Sequence, residues 1–132
     1  MKVNRIIETA IYCDSVPEMV PFYRHVFGFE LLFDLSERGA FLKCGSSVLI
    51  IFNRALTSLR DHKVPSHGST GPGHIALEID NDTADGWRKE LAEKGVAIEK
   101  DMVWEHSGAT SLYFRDPAGN SIELTEVRHW NL

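Results

Sequence analysis

ETAIYCDSVPEMVPFYRHVFGFEL (residues 8–31) carries a strand, a helix and the entry to a second strand in immediate succession. Its strand begins upstream at Arg5: RIIETAIYC (5–13) is rich in β-branched residues. Ser15-Val16-Pro17-Glu18 then has the form of a capping box with a proline in the first helical turn. Val16, Met19, Val20, Tyr23, Val26 and Phe27 recur at helical spacing and define one buried stripe. Gly28 stops the helix. Three strand candidates follow at 29–35 (FELLFDL), 40–44 (AFLKC) and 47–53 (SVLIIFN), separated by short turns.

The same plan returns from Gly73. HIALEID (74–80) reads as a strand, and Asn81, Asp82 and Thr83 all offer helix caps. Ala84, Trp87 and Leu91 form a helical stripe that Gly95 ends, with Gly86 weakening the first turn. AIEKDMVW (97–104), TSLYFRD (110–116) and NSIELTE (120–126) are strands, the last two joined by the turn sequence Asp116-Pro117-Ala118-Gly119-Asn120. The repeat lies in element order and spacing: Asp14 precedes Gly28 by 14 residues and Asp80 precedes Gly95 by 15. The expected organisation is one α+β domain over 1–132, with a βαβββ module at 5–53, a connector or flap at 54–72 ending in PSHGSTGPG, and a second module at 73–127.

Composition narrows the function classes. The chain has 132 residues, 43% hydrophobic and 25% charged, the balance of a globular domain with its own core. A net charge of −5 argues against nucleic acid, whose partners carry a basic face, and against an anionic membrane surface. No apolar run approaches the ~20 residues of a membrane span. The N-terminal MKVNRIIETA has no uninterrupted apolar segment, so no secretory signal is expected and the cytoplasm is the expected compartment. Cys13 and Cys44 match no metal-binding spacing and read as buried free thiols.

Strand alternation divides the faces. Ile75, Leu77 and Ile79 suit the helix side, which leaves His74, Ala76 and Glu78 opposite. Ile122 and Leu124, with Leu112 and Phe114, take the helix side, so Ser121, Glu123, Thr125, Ser111, Tyr113 and Arg115 take the far side. Ile7 and Ile11 suit the helix in the first strand, leaving Ile6, Glu8, Ala10 and Tyr12 opposite. In 47–53, Val48, Ile50 and Phe52 are assigned to the helix and Ser47, Leu49, Ile51 and Asn53 to the far face. A partly polar far face suits a small-molecule site, or simply the solvated side of an antiparallel sheet.

The segments ETAIYCDSVPEMVPFYRHVFGFEL, GPGHIALEID and SLYFRDPAGNSIELTE, in this order, resemble the vicinal oxygen chelate superfamily of glyoxalase I, bleomycin-resistance proteins and extradiol dioxygenases. The resemblance covers nearly the whole chain and implies paired βαβββ modules forming a curved mixed sheet, a cup with a metal at its centre. It implies ligands from the first and fourth strands of each module: Glu8, His74 and Glu123 here, with Leu49 at the fourth position. It also implies one divalent ion such as Mn, Fe, Ni, Co or Zn, and a homodimer whose cup takes Glu8 from one subunit and His74 and Glu123 from the other. Extradiol dioxygenases generally show two histidines and one carboxylate. Glyoxalase I generally uses four protein ligands, and fosfomycin-type thiol transferases place a histidine where this chain has Glu8.

Each candidate has a bland alternative. Glu8 could pair with Arg115, His74 could be a structural histidine at a strand start, and Glu123 could sit on a solvated edge. His67 in the glycine-rich connector could close over the cavity as an acid or base, or be a solvated loop histidine. Asn53, Trp104, Tyr113 and Arg115 could line the pocket, although Trp104 also suits packing and Arg115 a surface acid. Two functions follow. One is a metal-dependent enzyme acting on a small oxygen-rich molecule through a stabilised oxyanion, by isomerisation, elimination or transfer, with Glu8 or Glu123 as base and His67 assisting. The other is a metal-free protein that sequesters a drug or metabolite.

Overall fold

The computed structural model describes residues 1–60 and 63–131; residues 61 and 62, in the expected connector, and residue 132 lie outside them. The chain divides into two compact units, Met1–Gly71 and Pro72–Leu132.

In the first unit, β1 (Glu8–Cys13), α1 (Val16–Phe27), β2 (Glu30–Asp34), β3 (Gly39–Cys44) and β4 (Ser47–Asn53) follow in order, and a one-turn helix, α2 (Arg54–Thr57), continues from β4. The sheet order is β1-β4-β3-β2; β1 and β4 are parallel and the other pairs antiparallel. Helix α1 buries Val16, Met19, Tyr23 and Val26 of the expected stripe, leaves Val20 and Phe27 half-buried at its edges, and lies against β3 and β4. Burying each of the larger side chains contributes roughly 1.5–3 kcal/mol. Gly28 closes the helix in the left-handed region at φ 69°, and its amide donates to the Arg24 carbonyl. Ser15 departs from expectation: its side chain makes no capping bond, so Pro17 and Glu18 are what remains of the start signal.

The second unit repeats the plan with β5 (His74–Ile79), α3 (Ala84–Glu93), β6 (Lys100–Val103), β7 (Thr110–Arg115) and β8 (Ser121–Glu126), in sheet order β5-β8-β7-β6 with β5 and β8 parallel. Its core is Leu91, Leu112, Phe114, Ile122 and Leu124, all almost fully enclosed. The expected caps of α3 serve other groups. The Thr83 hydroxyl donates to the Asp80 carbonyl, and the Asn81 side chain accepts from the Arg128 amide. The fold class is therefore α+β, with the βαβββ unit present twice.

Register corrects one face assignment. Parallel pairing sets Glu8 beside Val48, Ala10 beside Ile50 and Tyr12 beside Phe52. Residues paired across a ladder share a face, so Val48, Ile50 and Phe52 lie with Glu8, while Leu49, Ile51 and Asn53 lie with the buried Ile11 and Cys13. Leu49 and Asn53 are therefore on the helix side. Five successive apolar residues, Val48–Phe52, leave no alternation from which to read the face.

Candidate functional site

The far face of the second sheet carries the polar cluster. His74 opens β5 directly opposite Ser121, and Glu123 follows two residues along β8, on the same face and opposite Tyr113 of β7. The His74 Nε2 and Glu123 Oε2 atoms are 3.4 Å apart, with the His74 side chain half exposed (52%) and Glu123 nearly enclosed (8%). The other imidazole nitrogen, Nδ1, lies 3.1 Å from the Ser121 carbonyl oxygen. A carbonyl only accepts, so Nδ1 carries the proton and donates it. In the neutral ring this leaves Nε2 with a lone pair, facing a carboxylate oxygen. Two lone pairs at this separation call for a positive centre between them, either a proton or a metal ion.

Glu123 is short of such a centre. Tyr113 stands opposite it on β7, and the Tyr113 ring is stacked against the His74 ring with centroids 6.3 Å apart. Burial, then the neighbouring Glu123 carboxylate, pushes the Tyr113 hydroxyl above its ordinary pKa, so it stays protonated at neutral pH. Among the described residues no lysine or arginine forms an ion pair with Glu123. Metal–nitrogen and metal–oxygen bonds of about 2.1 Å place neighbouring donors roughly 3.0–3.4 Å apart, so the separation of this pair fits a shared divalent ion. A tethered Nδ1–H is also the usual support of a ligating imidazole.

Glu8 lies at the start of β1, exposed. Within one chain, no group of three or more His, Cys, Asp and Glu side chains among the described residues could hold a metal ion. Arg115, the alternative partner weighed for Glu8, makes a two-pronged bond to Glu99 (2.6 and 3.1 Å) and a third to the Gly119 carbonyl. The Arg115 hydrogen bond holds the Glu99 carboxyl below its ordinary pKa. Arg115 shares the far face of β7 but is spent on a surface acid.

The remaining candidates are distributed as follows. Asn53 does not line the pocket face. It is buried on the helix side, where its Oδ1 accepts from the Ala55 and Leu56 amides as the cap of α2 and its Nδ2 donates to the Asp14 carbonyl. The Trp104 indole donates to the Ser111 hydroxyl at 2.8 Å, and Ser111 donates to Thr125 at 2.9 Å, so its polar edge reaches the Glu123 face while its ring packs 4.7 Å from that of His129. His67 belongs to the first unit. Its amide donates to the Thr57 carbonyl, its Nδ1 is 2.8 Å from the Tyr12 hydroxyl, and its ring meets Phe52 at 4.8 Å. A free-swinging loop histidine is not what the structure holds.

Two features are not legible in the sequence. The far face of the first sheet is aromatic: Tyr12, Phe41 and Phe52 are in ring contact, with Ile50 beside them. The pairing of Tyr12 with Phe52 was the available signal, hidden by the misassigned face of β4. The second is the position in β4 that matches Glu123. Glu123 pairs with Ala76, two residues after His74; Ile50 pairs with Ala10, two residues after Glu8. The matching residue is thus Ile50, not Leu49, and it is equally unable to bind a metal. Neither thiol offers an alternative nucleophile: Cys13 is buried and burial pushes the Cys44 thiol above its ordinary pKa.

Residues 5–124 match the family model of the Glyoxalase/Bleomycin resistance protein/Dioxygenase superfamily. A metallothiol transferase, FosB, of Shouchella clausii is 30% identical over 125 residues, 92% of this chain and 80% of that protein. A catechol-2,3-dioxygenase of Bacillus subtilis is 28% identical over 117 residues; the match takes in 83% of this chain but only 37% of the longer relative. Among solved structures, a lactoylglutathione lyase from Agrobacterium tumefaciens superposes with a TM-score of 0.95 at 34% identity, covering 100% of both chains.

Proposed function

Because the chain belongs to the Glyoxalase/Bleomycin resistance protein/Dioxygenase superfamily, we propose that it is a divalent-metal-dependent enzyme acting on a small oxygen-rich molecule, with Glu8, His74 and Glu123 as the ligands. The observation that carries this reading is the His74–Glu123 pair: an imidazole whose Nδ1 proton is committed to a carbonyl, with its Nε2 lone pair 3.4 Å from an enclosed carboxylate that has no lysine or arginine partner among the described residues. Glu8 would complete the set from the partner subunit of a homodimer. With three protein ligands, the ion keeps positions open for substrate and supplies Lewis-acid stabilisation of negative charge.

The chain's own residues set the rest. Ser121 orients His74, and Tyr113, opposite Glu123 and stacked on the His74 ring, would present its hydroxyl beside the ligand pair. Glu8 or Glu123 is the group that takes the substrate proton, at a carboxylate oxygen. His67, braced by Tyr12 and Phe52, offers its Nε2 as a second proton carrier. An apolar residue at the Glu123-equivalent position, Ile50, separates this set from a four-ligand centre and favours addition, elimination or transfer over lactoylglutathione-type isomerisation.

Metal analysis of purified protein tests the reading. About one divalent ion per chain is expected, lost in His74→Ala and in Glu8→Ala while circular dichroism stays that of the parent. Metal-free parent protein that binds a flat aromatic compound with unchanged affinity in both variants would favour sequestration instead.

A further inference from the structure

We infer that Asn120 is a positioning residue for His74, acting through the backbone of Gly73 and Ser121 to fix which imidazole nitrogen is free. The buried Asp116 (4% exposed) accepts the Ala118 and Asn120 amides at 3.0 and 2.9 Å on one oxygen and the Asn120 Nδ2 at 2.8 Å on the other. These bonds orient the amide group of Asn120, itself 2% exposed, so that its Oδ1 accepts the Gly73 amide at 2.8 Å. Gly73 in turn accepts the Ser121 amide at 2.9 Å, and the Ser121 carbonyl accepts the His74 Nδ1 proton. The amide links have one direction each, because an amide N–H only donates and a carbonyl only accepts, and in the last link the accepting Ser121 carbonyl assigns the proton to His74 Nδ1. The chain therefore runs without a break from a buried carboxylate to the imidazole.

The glycine at 73 belongs to the same device. A Cβ there would stand 3.2 Å from the Asn120 oxygen, closer than most such contacts allow. The turn sequence Asp116–Asn120 thus does more than connect β7 to β8. It clamps the first residues of β5 against the start of β8, where the His74 tautomer is set. A group bonded directly to a ligating imidazole changes metal affinity by about 10–100-fold when removed; here that group is the Ser121 carbonyl, which the Asn120 contacts hold in place.

The inference rests on the metal-ligand reading for its consequence, and its test separates the two. Long-range ¹H–¹⁵N NMR of the imidazole, at about pH 8.5 where an ordinary histidine is neutral, reports the His74 tautomer without any metal present. Parent protein should show His74 protonated at Nδ1. Asn120→Ala should move population to the Nε2-protonated form and weaken Ni²⁺ or Zn²⁺ binding roughly tenfold or more. Should Asn120→Ala fail to fold, Gly73→Ala crowds the same oxygen and leaves the buried turn intact; a smaller shift in the same direction is expected. A parent His74 protonated at Nε2 and not at Nδ1, or folded variants that keep the parent's Nδ1 protonation, overturns the inference. A tautomer that moves as expected in a protein that binds no metal upholds the positioning role and removes the metal reading.

Discussion

Glu123 and Glu126 stand three residues apart on β8, on opposite faces, and meet opposite environments. Glu126 is 1% exposed and accepts the Asp82 amide at 2.7 Å, the Thr110 amide at 2.8 Å and the Arg128 guanidinium at 2.7 Å. Burial alone would raise its pKa, but the Thr110 amide, Arg128 and the Asp82 amide outweigh it and hold the carboxyl below its ordinary value. A folded-state pKa below the unfolded value of about 4.3 stabilises the fold fully above that pH. The contribution is lost as pH falls through the unfolded value towards the folded one. Glu126→Ala is therefore expected to cost about 3 kcal/mol at neutral pH, from orphaned amides and a broken charge pair, and to flatten the acid limb of a stability–pH curve from urea titrations. Among the described residues Glu123 faces the His74 nitrogen and, across the ladder, Tyr113, with no lysine or arginine paired to it. Glu123→Gln should leave the urea midpoint unchanged or raise it while abolishing metal binding, since it removes a buried charge that lacks a cation. The acidity of both side chains was legible in the sequence, and the far-face parity of Glu123 with it. The network around Glu126 was not, because its partners come from the turn after β5, from β7 and from beyond β8.

The bounds of the module helices and strands were readable to within about three residues, β4 at 47–53 included; the faces of a strand buried on both sides were not. Helix α1 was announced by its apolar spacing and by the glycine after it. Gly28 sits at φ 69°, and a Cβ added there would have nothing within 4 Å, so Gly28→Ala meets backbone strain and no clash; a loss of about 1 kcal/mol, seen as a fall in Tm of a few degrees, is expected. Strand β4 offered five consecutive apolar residues, and its faces were decided by its parallel pairing with β1. Asn53 shows the consequence: read as a pocket residue, it caps α2. Asn53→Ala should cost about 1 kcal/mol in denaturant titration and leave metal affinity as in the parent. The one-turn helix α2 itself was not anticipated, since four residues carry too little pattern to announce it.

At the scale of the whole molecule, the internal repeat sets equivalent strands of the two modules in matching register, with Glu8 matching His74 and Ile50 matching Glu123. If ligands come from both subunits of a homodimer, defects in different modules complement. Glu8→Ala and His74→Ala chains, each metal-free alone, should regain about a quarter of the parent metal content when unfolded, mixed and refolded, because half the dimers are mixed and each has one intact site. Sites built within single chains would show no recovery. What the sequence by itself determined is the double βαβββ plan, the helix stripes and the family, because these depend on period, spacing and turn residues that are local along the chain. Tertiary structure alone decided which face of β4 looks away from its helix, that Arg115 is spent on Glu99, and that a buried turn reaches the imidazole of His74. Each of these is a choice among partners distant along the chain, made by strand register and by hydrogen-bond donors and acceptors finding each other in space.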